Sequence, residues 1–423
     1  MNSSFESAFI FVVCQIGAEP ALKKEITRDH PELRFAYARP GFVTFKKSEG
    51  ISSGLSPSLA PGLAPGLMNL SFALRSVFTR AYGISLGAVP ALDSGLDSAP
   101  DIALDSTTRS SGSLDFSAID RFAQQLLADL SADLSADLSD KLQPLCVLRL
   151  HLWERDQHAP GQAPLGFQPG ALAQGFRTQL MAHSPGLFAH PEKAELGDVV
   201  LDLVVLDSET LWMGAHRHSS SHSPWPGGAC PVVLPENSPS RAYLKLEEVL
   251  EWAGNPTRTG DTAVEIGSAP GGASFALLQR GLKVVGIDPA EMHRVVLQNP
   301  NFSHIQRPVG SILREELPES IQWLLLDMNV EPRITLFAVG RLLSRMLDTA
   351  LGVILTLKLN RWEIADEIPM MLEHVREMGM VRVKAAQLSH HRQEIVIFGL
   401  TRKGTTRKGI TGKGITPHVQ LPT

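Results

Sequence analysis

A glycine-rich turn supplies the clearest chemical signal: Gly267-Ser268-Ala269-Pro270-Gly271-Gly272 directly follows an apolar run ending at Ile266. Glycine allows a tight turn and a close approach of the backbone to a ligand. The pattern predicts a strand, a turn and a helix, the unit at which doubly wound sheets bind nucleotide-like ligands. About twenty residues later, Asp288 ends a second apolar run, where a carboxylate can accept hydrogen bonds from both ribose hydroxyls of an adenosine. The cofactor-binding residues predicted from this pattern are Gly267, Ala269, Pro270, Gly271, Gly272 and Asp288.

The same strand, turn and acid arrangement is also used to bind NAD. The dinucleotide fingerprint requires G-x-G-x-x-G, whose glycines bring the pyrophosphate to the helix N-terminus. This turn lacks the second of those glycines and has Ala269-Pro270 before Gly271-Gly272. A ligand without phosphates fits it better, so we expect the cofactor to be S-adenosyl-L-methionine.

The segment Glu265–Gly272 resembles the Asp-Leu-Gly-Ala-Ala-Pro-Gly-Gly signature of FtsJ/RrmJ-like RNA ribose 2′-O-methyltransferases, with glutamate in place of the leading aspartate. That family uses a Lys-Asp-Lys-Glu tetrad. The resemblance implies four catalytic residues in this chain: Lys245, Asp327, Lys358 and Glu394. It also implies that Asp327 lies beside the cofactor.

The tetrad would act on a ribose 2′-hydroxyl, a weak nucleophile until its proton is withdrawn or its oxygen is oriented. Lys358 can act as a base only when neutral, and moving a lysine pKa from about 10.4 to about 7.5 costs on the order of 4 kcal/mol. A neighbouring Lys245 favours that change, whereas Asp327 and Glu394 oppose it. A Lys358 that stays charged would instead orient the hydroxyl lone pair, and in-line alignment would supply much of the rate.

A second resemblance extends beyond the catalytic region. The segments Ser221–Gly228, Pro239–Arg241 and Leu244–Glu248 are similar to bacterial 23S rRNA cytidine 2′-O-methyltransferases of the RlmM type, and Cys14–Glu19 and Phe72–Arg80 fit that pattern more weakly. The resemblance implies 23S rRNA or a ribosomal precursor as partner and a THUMP-like RNA-binding region before the catalytic domain.

This chain departs from the RlmM-type pattern at two places. Ala242 replaces a serine that contacts the cofactor, and the acid expected near adenine is absent around Gln306–Gly310. Two alternatives therefore stay open: a 2′-O-methyltransferase of another RNA, and an RNA-binding protein with a degenerate cofactor site.

The order of apolar and polar segments predicts an α/β fold. It consists of a Rossmann-like class I methyltransferase domain preceded by an α+β, THUMP-like RNA-binding region. The predicted divisions are an N-terminal α+β domain (1–90), a low-complexity acidic insertion (91–140), a THUMP-like domain (141–235), the methyltransferase domain (236–400) and a basic disordered tail (401–423). Arg217, Arg241, Lys384 and Arg392 are the predicted phosphate contacts.

The net charge of −5 decides little about RNA binding, because the insertion and the tail carry opposite charges. Cys14, Cys146 and Cys230 lie far apart, which argues against a disulfide framework or a zinc module. The histidines in the segment 216–222 have no carboxylate or cysteine at ligand spacing, so we expect no metal.

Membrane insertion is not expected either. No apolar run approaches the roughly 20 residues that span a bilayer. The short run Phe9–Val13 has no basic leader and predicts a strand, not a signal peptide. The expected location is the cytoplasm.

Overall fold

The computed structural model describes residues 9–48, 70, 72–89, 116–136, 147–156, 170–207, 210–344 and 346–407. Most of the predicted acidic insertion and the tail beyond residue 407 lie outside the described residues. Among the described helices, none is long and apolar enough to cross a membrane.

Seven strands from the first half of the chain form one mixed sheet in the order β2-β3-β1-β4-β7-β6-β5. These strands are β1 (Phe9–Val13), β2 (Leu33–Arg39), β3 (Phe42–Lys47), β4 (Ala81–Ala88), β5 (Leu148–Glu154), β6 (Val199–Val205) and β7 (Leu211–Arg217). The helices of this half are α1 (Glu19–Asp29), α2 (Phe116–Ala136) and α3 (Ala171–His183). All neighbouring strands are antiparallel except β5 and β6, which are parallel.

The pairing of β4 with β7 changes the predicted domain division. Ile84 on β4 lies opposite Ala215 on β7, so strands from regions 1–90 and 141–235 belong to one sheet. The two regions predicted as separate domains therefore share one hydrophobic core, in which Ile84 and Ala215 are both buried.

Helix α2 lies inside the segment predicted to be a low-complexity insertion. Its residues Ile119, Phe122, Ala123 and Leu126 are buried. Their spacing of three, one and three residues places them on one face of a helix. This part of the segment is therefore a helix that packs against the core.

The second half of the chain contains another seven-stranded sheet, in the order β10-β9-β8-β11-β12-β14-β13. Its strands are β8 (Thr262–Ile266), β9 (Lys283–Ile287), β10 (Phe302–Ile305), β11 (Trp323–Asp327), β12 (Gly352–Lys358), β13 (Arg382–Ala386) and β14 (Glu394–Leu400). Its helices are α4 (Ala242–Trp252), α5 (Gly272–Gln279), α6 (Arg294–Leu297), α7 (Pro332–Leu343), α8 (Ile368–Glu377) and α9 (Arg402–Thr406). Single turns of 3₁₀ helix occur at Pro226–Gly228, Val309–Ser311 and Arg314–Glu316, and a longer one at Trp362–Glu367.

Strands β8 to β12 are parallel to their neighbours, whereas β14 runs antiparallel between β12 and β13. This confirms the predicted Rossmann-like sheet. The apolar runs that predict its central strands become strands buried on both faces, as parallel sheets covered by helices require. The carboxyl ends of β8, β11 and β12 consequently meet at one edge, which is where such sheets bind ligands.

The start of the predicted tail is part of the fold. The Thr401 side chain accepts a hydrogen bond from the Gly404 amide at the start of α9. Arg407 then donates to both carboxylate oxygens of Asp261, at 2.7 and 2.8 Å. The methyltransferase domain therefore extends to residue 407, and the prediction of disorder from residue 401 is wrong for these first residues.

The two sheets are joined by direct contacts. The Gln387 amide donates to the Val77 carbonyl at 2.7 Å. The rings of Phe78 and Trp362 meet edge to face with centroids 6.3 Å apart. Gln387 lies shortly before β14, which begins at Glu394, and Trp362 lies shortly after β12, which ends at Lys358. The N-terminal half therefore packs beside the edge of the second sheet that carries these two residues.

Candidate active site

The glycine turn connects β8 to α5, and its conformation needs glycine. Gly267 and Gly271 have φ values of +78° and +111°, which disfavour any side chain. A Cβ added to Gly267 would collide with the carbonyl of Asp327, and one added to Gly272 would collide with Ser240. The turn is therefore held tightly against the end of β11 and the residues that precede α4.

Asp288 fixes the turn from the end of the neighbouring strand β9. Its carboxylate accepts hydrogen bonds from the Ala269 amide at 3.1 Å and from the Ala290 amide at 2.8 Å. Each carboxylate oxygen has further lone-pair capacity for a ligand hydroxyl. The predicted ribose-binding acid thus lies against the turn.

Glu265 adds a buried acid directly before the turn. It is 3% exposed, and the Ser274 hydroxyl donates to it at 2.5 Å. Burial, with a smaller effect from the nearby carboxylates of Asp327 and Asp288, raises the pKa of Glu265 to about 8, although the hydrogen bond from Ser274 opposes that rise. Three carboxyl groups therefore surround the turn, and a cationic ligand would relieve their mutual repulsion.

S-adenosyl-L-methionine fits this set of residues. Its sulfonium and ammonium groups are positive, as the acidic surroundings of Glu265, Asp288 and Asp327 require. The glycine turn lies at the carboxyl end of β8, where sheets of this kind bind their ligands.

The four predicted catalytic residues lie in contact with one another. Asp327 ends β11, Lys358 ends the adjacent strand β12, and Glu394 opens β14 directly opposite Lys358. Lys245 reaches the same point from α4. Lys358 Nζ lies 2.8 Å from Asp327 Oδ1 and also contacts Glu394, while Lys245 Nζ lies 2.5 Å from Glu394 Oε1 and 3.4 Å from Asp327 Oδ2.

The contacts between the two lysines and the two carboxylates determine which of these four side chains are protonated. Burial alone would lower the pKa of Lys358, but the carboxylates of Asp327 and Glu394 outweigh it and raise that pKa above its usual value. Burial alone would raise the pKa of Glu394, but His391, Lys245 and Lys358 lower it. Lys358 is therefore an ammonium at neutral pH, and of its two predicted roles the orienting role is the better supported.

His391 belongs to the same cluster and was not found from the sequence. It is 1% exposed and lines a cavity together with Ala242, Lys245, Glu265, Asp327 and Thr356. Burial lowers its pKa, and neither ring nitrogen has a hydrogen-bond partner among the described residues. The only available signal was its position three residues before Glu394, which is too weak to distinguish it from a core histidine.

Two arginines lie next to the elements that carry Lys245 and Glu394. Arg241 is half-buried just before α4 and Arg392 is exposed just before β14. Burial lowers the pKa of Arg241, and the positive charge of Arg392 lowers it further. The charges of the two guanidinium groups therefore repel one another.

The prediction that Lys384 contacts phosphate is wrong. Lys384 is 2% exposed, donates to the Trp252 carbonyl at 2.7 Å and lies 3.8 Å from the centre of the Trp252 ring. Arg217 ends β7 in the N-terminal sheet.

The fold and the geometry of the site define a Rossmann-like methyltransferase domain. Residues 239–407 match the family model described as FtsJ-like methyltransferase, which confirms the resemblance read from the glycine turn. This region of the chain is an FtsJ-like methyltransferase domain.

Curated relatives agree with that assignment. The "Ribosomal RNA large subunit methyltransferase M" of Halorhodospira halophila is 33% identical over 179 residues, covering 41% of this chain and 50% of the relative. The protein of the same name from Marinobacter nauticus is 30% identical over 213 residues, covering 47% of this chain and 57% of the relative. The chain thus spans about half the length of the curated relatives it matches.

Among solved structures, TrmN from Thermus thermophilus covers 93% of this chain and 99% of its own, at 11% identity and a TM-score of 0.32. A similarity this weak carries no argument about function.

Proposed function

We propose that the chain methylates the ribose 2′-hydroxyl of a cytidine in 23S rRNA, using S-adenosyl-L-methionine. The observation that carries this proposal is the contact of Lys245, Asp327, Lys358 and Glu394 at the strand ends beside the glycine turn. The names of the curated relatives support rRNA as the substrate class.

The cofactor would be held by the turn 267–272, with Asp288 at the ribose and Asp327 beside the reacting end. S-adenosyl-L-methionine supplies an activated methyl group on a positively charged sulfur. Glu265, buried before the turn, would add negative potential in its ionised form, and a cationic ligand would favour that form.

Lys358 would bind the 2′-oxygen as an ammonium, donating one hydrogen bond and orienting a lone pair toward the methyl group. Asp327 and Glu394 hold that ammonium in place, and Lys245 balances their charge. Alignment of this kind reduces the entropic part of the barrier. The proton of the hydroxyl passes to the Asp327 carboxylate, which is 23% exposed, and from there to water.

The N-terminal sheet would supply the RNA-binding, THUMP-like part of the enzyme. Its contact with the methyltransferase domain through Val77 and Gln387 lies near β14, which carries Glu394. Arg241 and Arg392 would bind backbone phosphates.

Transfer of a labelled methyl group to 23S rRNA from cells that lack the modification tests the proposal. The wild-type chain should label 23S rRNA and not 16S rRNA, and Lys358→Ala should lose about 100-fold or more in rate. Lys283→Ala, at an exposed lysine at the start of β9, is the matched control. Labelling of a different RNA in preference to 23S rRNA would favour the alternative substrate.

Calorimetry with S-adenosyl-L-methionine separates the enzyme from an RNA-binding protein with a degenerate cofactor site. The relevant departure is Ala242, which lines the cavity beside Glu265 without a side-chain hydroxyl. Absence of cofactor binding by the folded chain would favour the degenerate site.

A further inference from the structure

Three histidines converge at the end of β7, in the N-terminal sheet. His216 is the penultimate residue of that strand, His218 follows it, and His222 lies in the next turn. One ring nitrogen from each lies within 4.8 Å of the other two. His216 and His218 are only 4% and 6% exposed.

Two of these imidazoles carry nitrogens that the fold leaves unsatisfied. Nε2 of His216 and Nδ1 of His218 are shielded from solvent and have no hydrogen-bond partner among the described residues. Leaving a buried polar atom in that state costs about 1–3 kcal/mol. A metal ion would satisfy such nitrogens by accepting their lone pairs.

Asp202 on β6 supports the first histidine from behind. Its carboxyl oxygen lies 2.6 Å from Nδ1 of His216. An ionised Asp202 accepts a hydrogen bond from the Nδ1–H group of His216. Nε2 is then the nitrogen with a lone pair, an arrangement that metal-binding histidines commonly have.

His222 is held in position by its neighbours. Its ring stacks between those of Tyr82 and His216, with centroids 4.2 and 4.3 Å away. The Ser219 hydroxyl lies 2.9 Å from its Nδ1. A metal bound to His216 would require the His222 ring to tilt out of this parallel stack so that its lone pair points at the same ion.

We propose that His216, His218 and His222 bind one Zn²⁺ ion, with water as the fourth ligand. Imidazole is a preferred zinc ligand, and three protein nitrogens with one water complete a tetrahedral shell. The sequence predicted no metal here because neither a carboxylate nor a cysteine lay at ligand spacing. The fold changes that assessment, since it supplies Asp202 from another strand and brings the three rings together.

The ion would fasten the turn at 219–222 to the N-terminal sheet. This turn begins the connection to the methyltransferase domain, and the Pro224 carbonyl that follows accepts a hydrogen bond from the Ala194 amide at 2.9 Å. An ion at this point would hold the turn in place, independently of the proposed methyl transfer.

Untagged, full-length protein stripped with a chelator provides the test. Calorimetric titration with Zn²⁺ alone should show one equivalent bound, with a rise in melting temperature, and Co²⁺ should give the intense visible absorption of a tetrahedral site. His218→Gln and His222→Gln should each weaken binding about tenfold or more, whereas His183→Gln, at an exposed histidine, should not.

Failure of the chelator-treated wild-type chain to bind Zn²⁺ would overturn the proposal. Unchanged stoichiometry and affinity in both His218→Gln and His222→Gln would also overturn it, because the ion would then lie elsewhere. Circular dichroism confirms that each variant is folded. If His218→Gln does not fold, two tests remain. They are the Zn²⁺ affinity of His222→Gln, where the replaced side chain is only half-buried, and the Co²⁺ spectrum of the wild-type chain.

Discussion

Lys358 Nζ lies 2.8 Å from Asp327 Oδ1, at the carboxyl ends of two adjacent parallel strands. Glu394 contacts the same ammonium from the facing antiparallel strand. Two anions on one cation hold Lys358 in its charged form. This relationship is the reason that we assign Lys358 an orienting role.

The pH dependence of methyl transfer should reflect that charge. Because the pKa of Lys358 is raised, the single-turnover rate of the wild-type chain should not depend on its titration between about pH 6 and about pH 9. A rate that rises about tenfold per pH unit across this range would show that neutral lysine is the reactive form.

Glu394→Gln should shift the loss of the Lys358 proton to a lower pH than in the wild-type chain. Loss of one anion lowers the pKa of Lys358, so the variant should lose activity as pH rises, while the wild-type chain does not. Glu363→Gln, at an exposed glutamate, is the control and should keep the wild-type profile. Identical profiles for Glu394→Gln and the wild-type chain would count against the charged-lysine role.

Cofactor affinity should depend on the ionisation of Glu265. Its pKa of about 8 is above its usual value, and a bound cation would favour the charged form. Affinity for S-adenosyl-L-methionine should therefore fall as pH decreases below about 8, measured by calorimetry at several pH values. Glu265→Gln should bind more weakly at high pH and lose this dependence. An unchanged dependence in that variant would show that another group is responsible.

The last described residues should contribute to stability through Arg407. This side chain makes a bidentate contact with Asp261, which also accepts a bond from the Trp323 indole at 2.9 Å. Arg407→Ala should lower the free energy of unfolding by about 1–3 kcal/mol at neutral pH, measured by urea denaturation. Arg402→Ala, at an exposed residue of α9, should have little effect.

The penalty for Arg407→Ala should also vary with pH. Burial alone would raise the pKa of Asp261, but its hydrogen bonds from Arg407 and Trp323 lower it below its usual value. A carboxyl group whose pKa is lower in the folded state stabilises the fold at a pH above its unfolded pKa of about 3.9. That contribution is lost as the pH falls through the folded-state pKa. The difference between Arg407→Ala and the wild-type chain should therefore shrink below about pH 4. A penalty that grows on acidification would contradict the role of this ion pair.

Arg241 and Arg392 should act on RNA affinity and not on the cofactor. Replacing either with alanine removes at most one phosphate contact, so the salt dependence of RNA binding should decrease by about one ion per variant. Filter binding at several salt concentrations measures this, with S-adenosyl-L-methionine affinity as the internal control. A change in cofactor affinity without a change in salt dependence would place these arginines in a different role.

The sequence was sufficient to place two of the predicted catalytic residues, Asp327 and Lys358, on one edge of the sheet. Asp327 and Lys358 each end an apolar run, and the ends of parallel strands must meet. The protonation of Lys358 could not be predicted, because it depends on Asp327 and Glu394 both contacting one nitrogen atom. The sequence indicated that Lys245 would lower the pKa of Lys358 and that Asp327 and Glu394 would raise it. It did not indicate which of these effects is larger.

Long-range pairing explains what the sequence could not reveal in the N-terminal half. Strand β4 pairs with β7 across more than a hundred intervening residues, including the acidic insertion. Local periodicity carries no information about such a partner, so one sheet was predicted as two domains. The same limitation applies to Asp202 and His216, whose contact follows from strand register.

The nucleoside that receives the methyl group tests the central claim most directly. Unmodified 23S rRNA should be incubated with the wild-type chain and S-adenosyl-L-methionine, digested to nucleosides and analysed by mass spectrometry, beside Lys358→Ala. We predict 2′-O-methylcytidine with the wild-type chain and none above background with Lys358→Ala. Methylation of a base, or full formation of 2′-O-methylcytidine by Lys358→Ala, would contradict the account.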